Sequence, residues 1–104
     1  MQILKSIKLI IVTAFFLFVI SLNTYAGTWR QDGNGWWYQN SDGSYPRSTW
    51  QWIDANEDHV AYCYYFNNDG YCLLNQKTPD GYRVSSSGEW IIEDIGLPET
   101  KIVN

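Results

Sequence analysis

The chain reads as an all-β protein, a short solenoid of stacked β-hairpin repeats that follows an N-terminal signal-peptide helix. Three observations predict this. Aromatic, strand-forming runs end in Asp-Gly turns, two such runs superpose without gaps, and no stretch after Ala26 keeps apolar residues at a sustained helical spacing.

The leader comes first. Lys5 and Lys8 precede an apolar run from Leu9 to Leu22, and Thr24-Tyr25-Ala26 supplies small residues before Gly27. A run of about 14 residues falls short of the ~20 that span a bilayer as a helix. Residues 1–26 are therefore expected to be a signal peptide cleaved after Ala26, leaving no stable membrane span. No cysteine stands at the cleavage point for lipid attachment. The protein is expected to be secreted, then held at the cell surface or cell wall.

Residues 27–104 are too short for two ordinary domains and marginal for one conventional core, so something besides core volume must hold them together. They carry five basic and eleven acidic side chains, a balance of −6. That sign makes nucleic acid a poor partner. All six tryptophans and seven of the eight tyrosines fall in this part. Rings at such density pack, form ligand platforms, or do both.

The first hairpin is expected in GWWYQNSDGSYP: Trp36 to Gln39 as a strand, Asn40 to Gly43 as the turn, Ser44-Tyr45 as the return. The second is YCYYFNNDGYCLLN, with strand Tyr62 to Phe66, turn Asn67 to Gly70 and return Tyr71 to Leu74. Glycine ends both turns because a tight reversal needs positive φ there. Setting Trp36 on Cys63 places Trp37 on Tyr64, Tyr38 on Tyr65 and Gly43 on Gly70. A decayed third unit, PDGYRVSSSGEWII, puts Gly88 seven residues after Gly81. Such hairpins cannot bury their aromatic faces singly, so they are expected to stack over residues 27–96, with 97–104 a loose C-terminal tail.

The pattern resembles the choline-binding, or cell-wall-binding, repeat family of Gram-positive surface proteins. In GTWRQDGNGWWYQNSDGSYPRSTWQW, Trp29 stands seven residues before Trp36 and Trp50 closes the unit. The second copy is looser, with the insertion DANEDHVA and Cys63 in place of a tryptophan. The resemblance implies a β-solenoid in which rings from neighbouring repeats cage a quaternary ammonium. It further implies a cage of Trp36, Trp50 and Tyr65, with Trp52 as a substitute for Trp50, and with Tyr38 and Trp29 alongside. Chemistry supports the idea independently. A trimethylammonium has no N–H to donate and is held by cation–π attraction, roughly 0.5 to 2 kcal/mol per ring. The same rings serve equally as the hydrophobic spine of a stack. Trp90, in the decayed unit, is expected to lie apart from the ligand.

Other chemistry is weakly represented. Cys63 and Cys72 suit either a disulfide or two packed free thiols. With Asn67 to Gly70 as the loop they share a face but sit diagonally, where neighbours are ~7 to 8 Å apart. The run Asp54 to Val60 opens like a calcium loop. His59 replaces the required glycine, however, and Tyr65 the closing glutamate, so no metal site is expected. No nucleophile elbow, zinc motif or phosphate loop is present. The expectation is a non-catalytic, cofactor-free module whose partner is teichoic-acid choline or a wall glycan. A competing reading is a small secreted effector or inhibitor that binds another protein or a host glycan.

Overall fold

The computed structural model describes residues 27–104, so the leader helix and its cleavage lie outside the described residues. Within them the chain is all-β and antiparallel, forming three sheets in chain order. β1 (Thr28–Asp32) and β2 (Gly35–Gln39) make the first. β3 (Thr49–Ile53) and β4 (Val60–Phe66) are joined in the second by β9 (Thr100–Ile102). β5 (Gln76–Lys77), β6 (Arg83–Val84), β7 (Trp90–Ile92) and β8 (Leu97–Pro98) make the third.

The strand expected from Trp36 to Gln39 forms, but its partner precedes it. β2 pairs back onto β1, Thr28 opposite Gln39 and Asp32 opposite Gly35, with Gly33-Asn34 as the reversal. Asn34 N–H donates to Asp32 Oδ1 at 2.9 Å to fix that turn. The Asn40–Gly43 turn also forms, yet Ser44-Tyr45 does not continue as a strand. Pro46 follows at once and has no N–H to give a ladder, whereas β1 offers five pairing residues.

The second hairpin differs in the same way. β4 covers the expected Tyr62–Phe66 strand and pairs with β3 across the 54–59 loop. The Tyr71–Leu74 return is reduced to one bridge, Phe66 opposite Cys72. That register is shifted by one residue from the expected one and separates the cysteines further. Cys63 and Cys72 are both buried free thiols, so the disulfide that the sequence left open is not formed. Residues 97–104 are not loose either. β8 pairs with β7, and β9 pairs with β4, Val60 opposite Ile102 and Tyr62 opposite Thr100. Beside β4 lay an unpaired edge, and the terminal segment satisfies its backbone groups.

The repeat is plainest in the backbone of four turns. In Asn40–Gly43, Asn67–Gly70, Thr78–Gly81 and Ser85–Gly88 the glycine N–H donates to the first residue's carbonyl. In each, the first residue's N–H donates to the carbonyl four residues on. The closing glycines have φ of 88°, 90°, 93° and 94°, the left-handed region that a side chain resists. Asn67, Thr78 and Ser85 reinforce their turns through side-chain oxygens.

The core is small. Phe66, 0% exposed, packs with Tyr38, Ile53 and Cys72, and Trp29 and Tyr64 close over them. β4 organises everything around it because successive residues face opposite sides. Tyr64 and Phe66 face the first hairpin through Trp29, while Tyr65 faces Trp50. Backbone bonds from Cys72 N–H to the Trp36 carbonyl (2.7 Å) and from Leu73 N–H to that of Tyr65 (3.0 Å) tie the first sheet to the second.

Candidate functional site

Three rings from two sheets line an open cavity of about 370 Å³: Trp29 and Trp36 from the first hairpin and Tyr64 from β4. Leu74, Cys72, Ser86 and Ser87 complete it. Strand alternation places the rings. Trp29 is the cross-strand partner of Tyr38, and Trp36 stands two residues from Tyr38, so all three project from one face. Trp29 is held edge-on to Tyr38 at 5.2 Å and to Tyr64 at 4.9 Å, and stacks on Phe66 at 5.8 Å. Trp36 remains 39% exposed, free to meet a ligand.

The cavity floor depends on a glycine. A Cβ on Gly88 would lie 2.8 Å from Cys72 Sγ and 3.2 Å from side-chain carbons of both Leu74 and Tyr64. The floor is also neutral. Burial pushes the Cys72 thiol up to about 12, with the nearby Glu89 carboxylate adding to it. The Tyr64 hydroxyl is raised for the same two reasons, burial first. No carboxylate lines this cavity. It suits a group that is cationic and has no N–H.

A second aromatic cluster lies on the other face of β4. Trp50 and Tyr65 are cross-strand partners with rings 5.3 Å apart. Trp50 also meets Tyr82 at 6.1 Å and Trp90 at 6.0 Å, and Tyr82 meets Trp90 at 5.7 Å. Trp50 Nε1–H donates to Asp80 Oδ2 at 2.8 Å. Thr78 and Trp50, in that order, hold the Asp80 carboxyl below the usual range.

The expected cage is therefore divided. Trp50 and Tyr65 come together, but Trp36 stands with Trp29 and Tyr64 instead. Trp52 lies beside Trp90 at 6.3 Å, with the Lys101 ammonium 5.7 Å from its ring. Tyr38 is 6% exposed and belongs to the core. Trp90, expected at the margin, is central to the second cluster. Sequence reasoning missed Tyr64, Leu74 and Gly88. Alternation along Tyr62 to Phe66 was the available signal for Tyr64, since adjacent tyrosines of one strand cannot share a cavity.

No family model matches the chain. Over 28 residues, 27% of this chain, it is 50% identical to the lysozymes of Streptococcus phages Cp-1 and Cp-9, of which that stretch is 8%. Over 55 residues, 51% of this chain, it is 33% identical to 17% of the lysin of Pneumococcus phage Dp-1. Among solved structures it resembles the modular Cpl-1 endolysin complexed with a peptidoglycan analogue. There the identity is 34% and the TM-score 0.54, over 65% of this chain and 19% of that one. The chain thus spans less than a fifth of each, and is homologous to a part of modular cell-wall lysins.

Proposed function

We propose that the chain is a non-catalytic binding module, a short solenoid of choline-binding-type repeats. It would hold the protein on the outside of a bacterial cell wall by caging the trimethylammonium head of teichoic-acid choline between Trp29, Trp36 and Tyr64. The observation that carries this reading is the cavity itself: three rings around about 370 Å³, with a neutral floor and no carboxylate. A dehydrated quaternary ammonium gains roughly 0.5 to 2 kcal/mol from each ring. Three rings therefore reach the roughly 4 kcal/mol of millimolar binding, and multivalent wall polymers raise the avidity. The −6 balance of residues 27–104 favours a cation at the surface. Homology to part of cell-wall lysins fits a wall-directed role, and their catalytic activity is not carried over.

The test is tryptophan fluorescence titrated with choline and with its neutral isostere 3,3-dimethylbutan-1-ol, alongside retention on purified walls with and without teichoic acid. Choline alone should perturb the emission, and Trp36→Ala should weaken it about two- to thirtyfold. Equal responses to both compounds would reduce the cage to a packing spine.

A further inference from the structure

A second cavity, sharing no ring with the cage, lies on the opposite face of the first hairpin. Trp37, Tyr45 and Tyr71 wall about 210 Å³ together with Asp32 and Asp69. Trp37 alternates with Trp36 along β2 and so points away from the cage. The box is built by specific contacts. Trp37 and Tyr45 meet edge to face at 5.7 Å, and the Tyr71 hydroxyl donates to Asp32 Oδ2 at 2.9 Å. A glycine makes room for one ring: a Cβ on Gly70 would strike Tyr45 at 2.7 Å, whereas one on Gly35 would reach only ordinary contact with Tyr71 at 3.5 Å.

Neither aspartate of the box is ion-paired among the described residues, although Arg30 stands opposite Trp37 on the same face of the hairpin. Among the described residues no basic side chain lies within 4.0 Å of Asp32 or Asp69. The nearest cation to a ring is the Arg47 guanidinium, 5.5 Å from the Tyr45 centroid. Each Asp32 oxygen accepts one bond, from Asn34 N–H and from Tyr71 O–H, and keeps a further lone pair.

We propose that this box binds a protonated primary alkylamine, an ammonium on a short methylene chain, whose N–H groups donate to Asp32 and Asp69 while its methylenes lie on Trp37, Tyr45 and Tyr71. The two cavities thereby select opposite chemistries. A quaternary ammonium has no N–H to offer the remaining lone pairs of Asp32 and Asp69, and a primary ammonium in the Trp29–Trp36–Tyr64 cage would find no carboxylate among the lining residues to accept its N–H groups. Free amines and lysine side chains share this chemistry.

Indole N–H resonances of the ¹⁵N-labelled protein separate the sites, Trp37 reporting the box and Trp36 the cage. The titrants are n-butylammonium, Nα-acetyl-lysine methylamide, tetramethylammonium and butan-1-ol. n-Butylammonium should shift Trp37 with millimolar affinity, and Asp69→Asn should weaken it about threefold. A comparable shift with the lysine derivative identifies a peptide lysine as the source, and its absence confines the box to free amines. The proposal is overturned if Trp37 does not respond to n-butylammonium, if butan-1-ol or tetramethylammonium moves it as readily, or if the Asp32→Asn, Asp69→Asn double variant binds unchanged. Choline binding read at Trp36 stands or falls separately.

Discussion

The ring of Trp29 meets the ring of Tyr64 edge to face, centroids 4.9 Å apart at 73°, and this pair joins the first hairpin to β4 within the lining of the 370 Å³ cavity. The contact involves the ring and not the hydroxyl. Tyr64→Phe should therefore keep choline affinity within about twofold. Tyr64→Ala should lose roughly 0.5 to 2 kcal/mol of binding together with stability. Fluorescence titration and urea unfolding of both variants check this.

Trp90 separates stability from binding. It touches Trp50, Trp52 and Tyr82 but does not line the Trp29–Trp36–Tyr64 cavity. Trp90→Ala should cost about 2 kcal/mol, below the range for a fully buried tryptophan because the side chain is half-buried. Choline affinity of the folded fraction should stay within about twofold. A large loss of affinity with little change in the urea midpoint would place the ligand at the second cluster instead.

Gly88 and Gly43 offer a matched pair. Both have φ near +90°, 94° and 88°. Alanine at either carries a left-handed strain of about 1 to 2 kcal/mol. Only at Gly88 does the new Cβ collide, with Cys72, Leu74 and Tyr64, while around Gly43 nothing lies within 4 Å. Gly88→Ala should be the more destabilising and should also abolish choline binding. Gly43→Ala should leave the affinity intact, and thermal unfolding with choline titration reads both effects.

The buried thiols set an alkaline limit on stability. Burial raises Cys63 from 9.0 to about 11 and Cys72 from 9.0 to about 12. The folded protein then holds protons that the unfolded chain releases. Their contribution is complete below about pH 9 and is lost as pH climbs towards about 12. Tyr38 and Tyr64, also raised by burial, act in the same direction from about pH 10. Urea midpoints should fall steadily above about pH 9, and Cys72→Ala should flatten that slope.

How much was legible can be judged residue by residue. The strand Trp36 to Gln39, the Tyr62 to Phe66 strand and the glycine turns at 43, 70, 81 and 88 could be read from alternation and turn chemistry, which are local. The pairing partners could not. Asp32-Gly33-Asn34-Gly35 and Asn40-Ser41-Asp42-Gly43 are both good reversals. Choosing which one carries a hairpin depends on whether the chain beyond it can continue a ladder. The β4–β9 pairing is of longer range still, with Val60 opposite Ile102, and the β-branched Thr100 and Ile102 do not by themselves say which strand they join.

The sequence by itself determined that the chain after Ala26 is all-β, acidic and aromatic-rich with recurring glycine turns, because composition, period-two alternation and positive-φ glycines are properties of short stretches. Only the tertiary structure decided which rings share a cavity. Along β4, Tyr64 and Tyr65 are neighbours in sequence yet face opposite sides, so one joins Trp29 and Trp36 and the other joins Trp50 and Trp90. The physical reason is register: shifting a strand by one residue turns every side chain to the other face, and register is fixed by the sheets packed around it.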